Sequence, residues 1–200
     1  MIQPLQHPTG AGAPLRPIST PTGWIEVICG SMFSGKTQEL IRRLRLCNIA
    51  RQKVQVFNSS LDTRYGQNHI VSHDLHKIEA HAVRKSKEIL DKVHPETQVV
   101  GIDEVHFFDP EIIGVCETLA NQGRRVIAAG LDQDYRGEPF LITAKLMAVA
   151  EFVSKNLAVC VVCGNPANKS QRLTTNKRRI EVGAASKYEA RCRRCFSAKP

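Results

Sequence analysis

Eight residues near the start of the chain, GSMFSGKT at 30–37, constrain the fold more than any other stretch. They match the GxxxxGK[ST] pattern, whose glycines let backbone N–H groups converge on a phosphate while the next helix adds its positive N-terminal end. Lys36 is placed to reach the β- and γ-phosphates, and the Thr37 hydroxyl to ligate Mg²⁺. The alternative is a plain glycine-containing turn. The predicted phosphate-binding residues are Gly30, Ser31, Met32, Phe33, Ser34, Gly35, Lys36 and Thr37.

The second signal is an apolar run that ends in two acids, VVGIDE at 99–104. A P-loop enzyme needs an acid at the carboxyl end of a strand to hold its magnesium, directly or through water, and Asp103 is that candidate. If the strand continued, Glu104 would point the opposite way and could face a second substrate. The alternative is a strand end with two surface acids.

Strand-like and helix-like runs alternate around these motifs. Strands are predicted at 24–29, 53–57 and 125–131, and helices at 38–51, 86–93 with Ser86 as its cap, 110–122 and 141–154. This alternation indicates a parallel α/β sheet with helices on both faces. Residues 66–85 are polar and are predicted to be exposed and mobile.

The loop after the second strand carries Asp62 and Arg64. In a parallel sheet this loop lies at the carboxyl edge, beside the phosphate loop, so both side chains are candidates to contact phosphate, metal or acceptor. The alternative is a turn held by an Asp side chain, with a surface arginine.

The C-terminal part of the chain contains two CxxC pairs, separated by 28 residues. Four thiolates with this spacing suit a tetrahedral zinc site, although the gap between the pairs is longer than in the usual ribbon pattern. A small module needs such a site because it lacks a core. The predicted structural Zn²⁺ ligands are Cys160, Cys163, Cys192 and Cys195; the alternative is a redox dithiol. Cys29, Cys47 and Cys116 lie in apolar or helical runs and are predicted to be core thiols.

Composition sets the domain organisation. Residues 1–23 hold five of the ten prolines and few large apolar side chains, which predicts a disordered tail; the alternative is a docked peptide arm. An α/β nucleotide-binding domain at 24–155 and a zinc-ribbon domain at 156–200 follow. Residues 165–200 contain ten Lys and Arg against two Glu, and so carry eight of the chain's nine net positive charges. This basic stretch either compensates the zinc thiolates or binds polyphosphate or nucleic acid. Small phosphates are favoured over nucleic acid, because interleaved aromatic residues are lacking.

No run approaches eighteen apolar residues and the N-terminus shows no signal pattern, so the sequence predicts a cytoplasmic protein without a membrane span.

Together these motifs resemble the small, zinc-containing, P-loop thymidine kinases. The resemblance is carried by GSMFSGKT at 30–37, DTRY at 62–65, GIDEVHFF at 101–108, AAGLDQDYRGEPF at 128–140, the two CxxC pairs and KYEARC at 187–192. It implies a RecA-like P-loop sheet plus a zinc ribbon, whose lasso loop closes over the nucleoside.

The implied activity is transfer of the ATP γ-phosphoryl group to the 5′-hydroxyl of thymidine, with deoxyuridine as a possible second acceptor. Glu104 matches the family's proton acceptor, and Asp103, with Thr37, its magnesium-associated group. The resemblance implies ATP contacts at Arg64, Asp103, Glu104, Val105 and His106. It implies thymidine contacts at Met32, Asp62, Phe107, Leu131, Phe140, Ser170, Val182, Gly183 and Tyr188. Ser170 stands where threonine is expected and His106 where glutamine is common.

Family members are cytosolic, usually tetrameric, and inhibited by thymidine triphosphate, so the same is expected of this chain. Two other functions remain open on the sequence: a nucleic-acid-dependent ATPase that uses the zinc ribbon, and a kinase of another nucleoside or small alcohol on the same scaffold.

Overall fold

The computed structural model describes residues 22–60, 69–71, 77–175 and 187–198. Its strands are β1 (Trp24–Gly30), β2 (Val54–Ser59), β3 (His69–Val71), β4 (Lys77–Glu79), β5 (His81–Val83), β6 (Val99–Asp103), β7 (Arg125–Leu131), β8 (Phe152–Asn156), β9 (Ala158–Val159), β10 (Pro166–Ala167), β11 (Lys169–Arg172) and β12 (Tyr188–Arg191). Its helices are α1 (Lys36–Ile49), α2 (Glu88–Lys92), α3 (Ile112–Asn121) and α4 (Leu141–Val149), and a 3₁₀ turn spans Val105–Phe107.

Six of the strands form one sheet in the order β5-β2-β6-β7-β1-β8, and every pair in it is parallel. The strand that leads into the phosphate loop, β1, is therefore separated from the strand that ends in Asp103, β6, by β7 alone. All carboxyl ends meet at one edge, where parallel α/β sheets bind ligands. The predicted RecA-like P-loop α/β fold is confirmed.

Helices cover both faces of this sheet, as a parallel sheet requires. The apolar side of α1, including Leu40 and Leu44, packs on Ile28 and Val56 of the strands. The other face meets α2, α3 and α4 in a larger core. Side chains alternate between the two faces along each strand, so that Val56 lies on the α1 side and Phe57 on the opposite side.

The amino-end half of the sheet carries a buried charge cluster on its α1 side. Glu26 is 6% exposed and accepts hydrogen bonds from Arg125 at 2.6 Å, Arg43 at 2.7 Å and Trp24 at 2.8 Å. Burial raises the pKa of Glu26, but the hydrogen bonds from Arg125, Trp24 and Arg43 outweigh burial and leave the pKa below its ordinary 4.5. This cluster ties β1 to α1 and β7.

The predicted helix at 141–154 is wrong in its second half. Helix α4 ends at Val149, and β8 then runs parallel to β1 as the last strand of the sheet. The run looks helical because Phe152 and Val153 are large and apolar, but they are 57% and 44% exposed on an edge strand. Pairing with β1, which lies far away in sequence, decides the local structure.

Two smaller predictions are also wrong. Within the described part of the 66–85 segment, Ala80 and Val83 are buried and β5 joins the main sheet beside β2, so this part is not a merely exposed segment. Ser86 does not cap α2; its backbone N–H donates to Asp109 Oδ2 and its hydroxyl to the Asp109 carbonyl oxygen.

The C-terminal part forms short antiparallel pairs, β9 with β10 and β11 with β12. A small core of Ala158, Ala167 and Ala190 lies beside the cysteines, with Phe33 of the phosphate loop packed against it. No helix in the described ranges is long and apolar enough to cross a membrane.

Candidate active site

The phosphate loop adopts a backbone that its glycines permit. Gly30 has φ of 145°, and a Cβ there would lie 2.3 Å from the carbonyl oxygen of Asn156, so no larger residue fits. Gly35 has φ of 76° and stands immediately before α1 as its N-cap. Phe33 also has a positive φ, 64°, which is uncommon for a residue with a side chain and marks a constrained loop.

Lys36 is held inside this loop. Only 9% of it is exposed, and its Nζ donates to the carbonyl oxygen of Ser31 at 2.7 Å. The Ser34 hydroxyl donates to the same oxygen at 2.8 Å. The ammonium group therefore lies on the concave side of the phosphate loop. In the GK[ST] pattern, this is where the lysine meets the phosphates of the nucleotide.

Thr37 and Asp103 meet across the sheet edge. The Thr37 Oγ1 lies 3.2 Å from Oδ2 and 3.4 Å from Oδ1 of Asp103. A hydroxyl and a carboxylate side by side are the hard oxygen donors that Mg²⁺ prefers. Asn58 stands opposite Asp103 in the pairing of β2 with β6, and its side-chain oxygen is buried without a hydrogen-bond partner among the described residues. The donor set therefore fits a magnesium ion.

Glu104 does not continue the strand. Strand β6 ends at Asp103, and Glu104 takes a left-handed conformation with φ of 48° and ψ of 45°, stabilised by its N–H donating to Asp103 Oδ1 at 2.9 Å. The condition for alternation, a strand that continues through Glu104, is therefore not met, and the backbone turn sets the direction of the Glu104 side chain. Such a conformation stores strain in a non-glycine residue, and strain of this kind clusters at functional sites.

His106 lies behind Glu104. Its Nδ1 is 3.4 Å from Glu104 Oε2 and accepts a hydrogen bond from the backbone N–H of Leu131 at 3.2 Å. Because Nδ1 accepts, the ring proton of the neutral imidazole is on Nε2. The ring packs in tilted contact with two phenyl rings, with centroid distances of 4.2 Å to Phe107 and 4.8 Å to Phe140. Phe107, Leu131 and Phe140 therefore all contact the His106 ring.

The β11–β12 hairpin reaches the same edge. The backbone N–H of Met32 donates to Ser170 Oγ at 3.0 Å, which fastens the phosphate loop to β11. Tyr188 is 6% exposed, and its hydroxyl accepts from both Nε and Nη2 of Arg172, at 3.2 and 2.6 Å. The Arg172 guanidinium in turn stacks 3.6 Å from the ring centre of Tyr135, in the same loop as Phe140.

The four cysteines of the CxxC pairs converge. The Sγ atoms of Cys160, Cys163, Cys192 and Cys195 all lie within 4.8 Å of one another. The Cys163 sulfur is 3.6 Å from those of Cys192 and Cys195, close to the separation of about 3.8 Å that tetrahedral Zn–S bonds of 2.3 Å impose. Although desolvation opposes ionisation, hydrogen bonds from the backbone of Cys192, Val162 and Cys163 lower the pKa of Cys160 to about 6. The donor set fits zinc and is compatible with a zinc ribbon.

The remaining thiols are not part of this cluster. Cys29, Cys47 and Cys116 are buried and form no disulfide bond, as predicted for core thiols. Burial raises the pKa of Cys116 to about 12, so that thiol is unreactive at neutral pH.

Comparison with known proteins decides the family. The sequence profile of thymidine kinases matches residues 23–196, which is most of the chain. This chain belongs to the thymidine kinase family. It is 56% identical over 174 residues to a thymidine kinase of Rhodothermus sp. (strain ITI 518), an alignment that covers 87% of this chain and 81% of the relative.

In this thymidine kinase family member, the sequence-predicted site residues fall into three groups. The first, around the phosphate loop and Asp103, is assembled at the sheet edge. The second, the aromatic and apolar residues near His106 together with Ser170 and Tyr188, lies at the same edge or in the hairpin tied to it. The third lies outside the described residues: Asp62, Arg64, Val182 and Gly183.

Two residues of this arrangement were missed in the sequence. Arg172 is among the most deeply buried side chains, at 2% exposed, and Tyr135 is 5% exposed against it. A buried arginine gives no local signal of its partners. The one available clue is alternation along the strand, since Arg172 stands two residues after Ser170 and so lies on the same face of β11.

Proposed function

We propose that this chain transfers the γ-phosphoryl group of ATP to the 5′-hydroxyl of thymidine, giving thymidine monophosphate for DNA precursor synthesis. The observation that carries the proposal is the meeting of Thr37, Asp103 and Glu104 beside the phosphate loop, in a chain of the thymidine kinase family. The alternative of a nucleic-acid-dependent ATPase is not favoured, because the family match spans both the sheet and the cysteine module.

On the donor side, backbone N–H groups of the loop and the ammonium of Lys36 hold the ATP phosphates. On binding, Lys36 exchanges its hydrogen bond to the Ser31 carbonyl for one to a phosphate oxygen. Thr37 and Asp103 would hold the Mg²⁺ that accompanies ATP, and this ion supplies charge neutralisation at the phosphates. Arg64, with Val105 and His106 near Glu104, completes the proposed nucleotide contacts.

On the acceptor side, Glu104 is the proposed proton acceptor for the 5′-hydroxyl. A carboxylate is basic enough, because phosphoryl transfer through a loose transition state needs alignment more than activation of the nucleophile. The bent backbone at Glu104 sets where the carboxylate lies, 3.4 Å from the His106 ring. The proton moves from the hydroxyl to the Glu104 carboxylate as the new O–P bond forms.

The thymine ring is proposed to lie among Met32, Phe107, Leu131, Phe140 and Tyr188. Ser170 and Asp62 supply polar contacts to the nucleoside, and the backbone of Val182 and Gly183 in the lasso loop reads the edge of the base. Arg172 serves as a positioning residue in this scheme, since it fixes the Tyr188 hydroxyl and the Tyr135 ring at once.

The four cysteines are proposed to hold a structural zinc ion. The module they close has only a small apolar core, so a metal is the natural source of its stability. Since β11 contacts the phosphate loop through Ser170, zinc would act on the site only by keeping this hairpin in place.

We further propose a cytoplasmic homotetramer that thymidine triphosphate inhibits, and a division into a tail at 1–23, a nucleotide-binding domain at 24–155 and a zinc-ribbon domain at 156–200. These proposals are supported by the resemblance to the family. Light scattering of the purified chain tests the tetramer, and initial rates with added thymidine triphosphate test the inhibition.

The activity itself is tested by incubating the purified chain with ATP, Mg²⁺ and a panel of nucleosides that includes deoxyuridine. Mass spectrometry should find thymidine monophosphate formed one-to-one with ADP. The matched control is 5′-deoxythymidine, which lacks the accepting hydroxyl and should give no product. Phosphorylation of a different nucleoside in preference to thymidine would overturn the proposal.

A further inference from the structure

Three buried side-chain oxygens have no hydrogen-bond partner among the described residues: the two carboxylate oxygens of Asp132, which forms an ion pair with Lys155 at 2.8 Å, and the amide oxygen of Asn58. Asn58, the fifth residue of β2, is only 4% exposed, and its side-chain oxygen has no hydrogen-bond partner among the described residues. Burying an amide oxygen without a partner is unfavourable, and native structures rarely keep such an atom unless a water, an ion or a ligand satisfies it.

Its place in the sheet connects Asn58 to the magnesium donors. In the pairing of β2 with β6, Asn58 stands directly opposite Asp103. Adjacent strands are about 4.8 Å apart, and residues opposite each other in a parallel pair share a face. Val56 packs in the α1-side core and Phe57 in the core on the other side, so alternation puts Asn58 on the α1 side. That is the side on which α1 presents Thr37 to Asp103.

The chemistry of this oxygen suits the surroundings of a hydrated cation. Mg²⁺ gives up its waters reluctantly and keeps several of them when it binds with a nucleotide. The hydrogens of those waters need acceptors, and acceptors around a metal's ligands tune its affinity. An amide oxygen is neutral, so it accepts such a hydrogen bond without adding charge beside Asp103.

We propose that Asn58 accepts a hydrogen bond from a water bound to the Mg²⁺ that enters with ATP, and so acts as a positioning residue for the metal. This inference rests on the proposed function. It assigns Asn58 no direct bond to the metal and no part in proton transfer.

The neighbouring amide offers a matched control. Gln55, on the same strand, has both ends of its amide engaged: its oxygen accepts from the His94 N–H at 2.8 Å and from the Thr97 hydroxyl, and its Nε2 donates to the Lys92 carbonyl at 3.2 Å. Loss of the Gln55 amide should therefore affect stability alone, whereas loss of the Asn58 amide should affect the metal.

The test measures Mn²⁺ binding by electron paramagnetic resonance, with the full chain and a non-hydrolysable ATP analogue. Asn58→Leu, of similar volume, should weaken Mn²⁺ in the ternary complex about 5- to 10-fold, the value of one hydrogen bond. Its metal-free melting temperature should rise by about 2–4 °C, because an unsatisfied polar atom has been removed. Asn58→Asp keeps the acceptor and should bind Mn²⁺ at least as tightly as the native chain. Gln55→Leu should lower the melting temperature and leave Mn²⁺ affinity unchanged.

The outcomes separate this inference from the proposed function. If the native chain binds Mn²⁺ with the analogue and Asn58→Leu binds it equally well, Asn58 has no role at the metal and the inference alone is overturned. If the native chain binds no Mn²⁺ with the analogue, the proposed function is overturned and the inference with it.

Discussion

Replacement of Glu104 by glutamine should slow phosphoryl transfer without disturbing the site that holds the nucleotide. Glutamine keeps the shape of the side chain and the backbone N–H that bonds to Asp103 at 2.9 Å, but it cannot accept a proton. A positioned base contributes about 10²- to 10⁴-fold, so kcat should fall by that factor, or about 2.7–5.4 kcal/mol in the activation free energy. The KM for ATP should stay within about twofold of native, because uniform binding is unaffected.

Glu104→Asp is the companion variant, because it keeps the carboxylate but withdraws it by one methylene. A displacement of about 1 Å in a reacting group costs about 10²-fold, so the aspartate should also be slow despite remaining basic. Single-turnover formation of thymidine monophosphate, followed in a quench-flow instrument, isolates the chemical step from product release. Glu104→Gln with more than a tenth of native single-turnover rate would refute the assignment of Glu104 as proton acceptor.

Three further perturbations follow from the contacts. Ser170→Ala removes the acceptor for the Met32 N–H and should raise the KM for thymidine about 5- to 10-fold in steady-state kinetics. Ser170→Thr keeps the hydroxyl and should have the native KM. An equal rise in KM for both variants would contradict the role of the Ser170 hydroxyl at the site. Cys163→Ser should abolish stoichiometric zinc in elemental analysis and lower the melting temperature by more than about 5 °C; full zinc content in the variant would exclude the four-cysteine site. Glu26→Gln should destabilise the fold by about 2 kcal/mol at pH 7 in urea titrations, since Arg125 loses its carboxylate partner whereas Arg43 keeps Glu39. Because the pKa of Glu26 is lowered in the fold from 4.5, this loss should shrink as pH falls below that value, and a loss that grows in acid would contradict the assignment.

The parts of the fold that the sequence predicts well are those with a local physical cause. The phosphate loop is visible because Gly30 and Gly35 must adopt backbone angles that larger residues avoid. The end of β6 can be predicted because an apolar run in the sequence stops at an acidic residue, Asp103. Helix α3 is visible because apolar residues recur at helical spacing and Gly123, with φ of 84°, ends it.

The parts that the sequence does not predict depend on distant partners. Strand β8 exists because β1 offers it a free edge, and nothing within 141–154 reveals that edge. Ser86 bonds to Asp109 instead of capping a helix, and the competition between these two partners is tertiary. The bond from Met32 to Ser170 joins residues 138 positions apart. The motif places Met32 at the phosphate loop and the resemblance places Ser170 at the site, but neither predicts that the two are bonded.

The turn at Glu104 shows how a local backbone conformation can replace the alternation that a continuing strand would impose. Strand alternation predicts the two acids on opposite faces, but the strand ends first and the left-handed Glu104 makes its own bend. The two carboxylates nevertheless differ in surroundings: Asp103 contacts Thr37, and Glu104 lies by His106. The proposed division of labour rests on these contacts and no longer on alternation.

The most direct measurement is a crystal structure of the chain with thymidine and a non-hydrolysable ATP analogue bound together. The account predicts a Glu104 carboxylate oxygen within hydrogen-bond reach of the 5′-hydroxyl, about 2.6–3.2 Å, while Asp103 faces the metal. A different side chain at the 5′-hydroxyl, with Glu104 turned toward solvent, would contradict it.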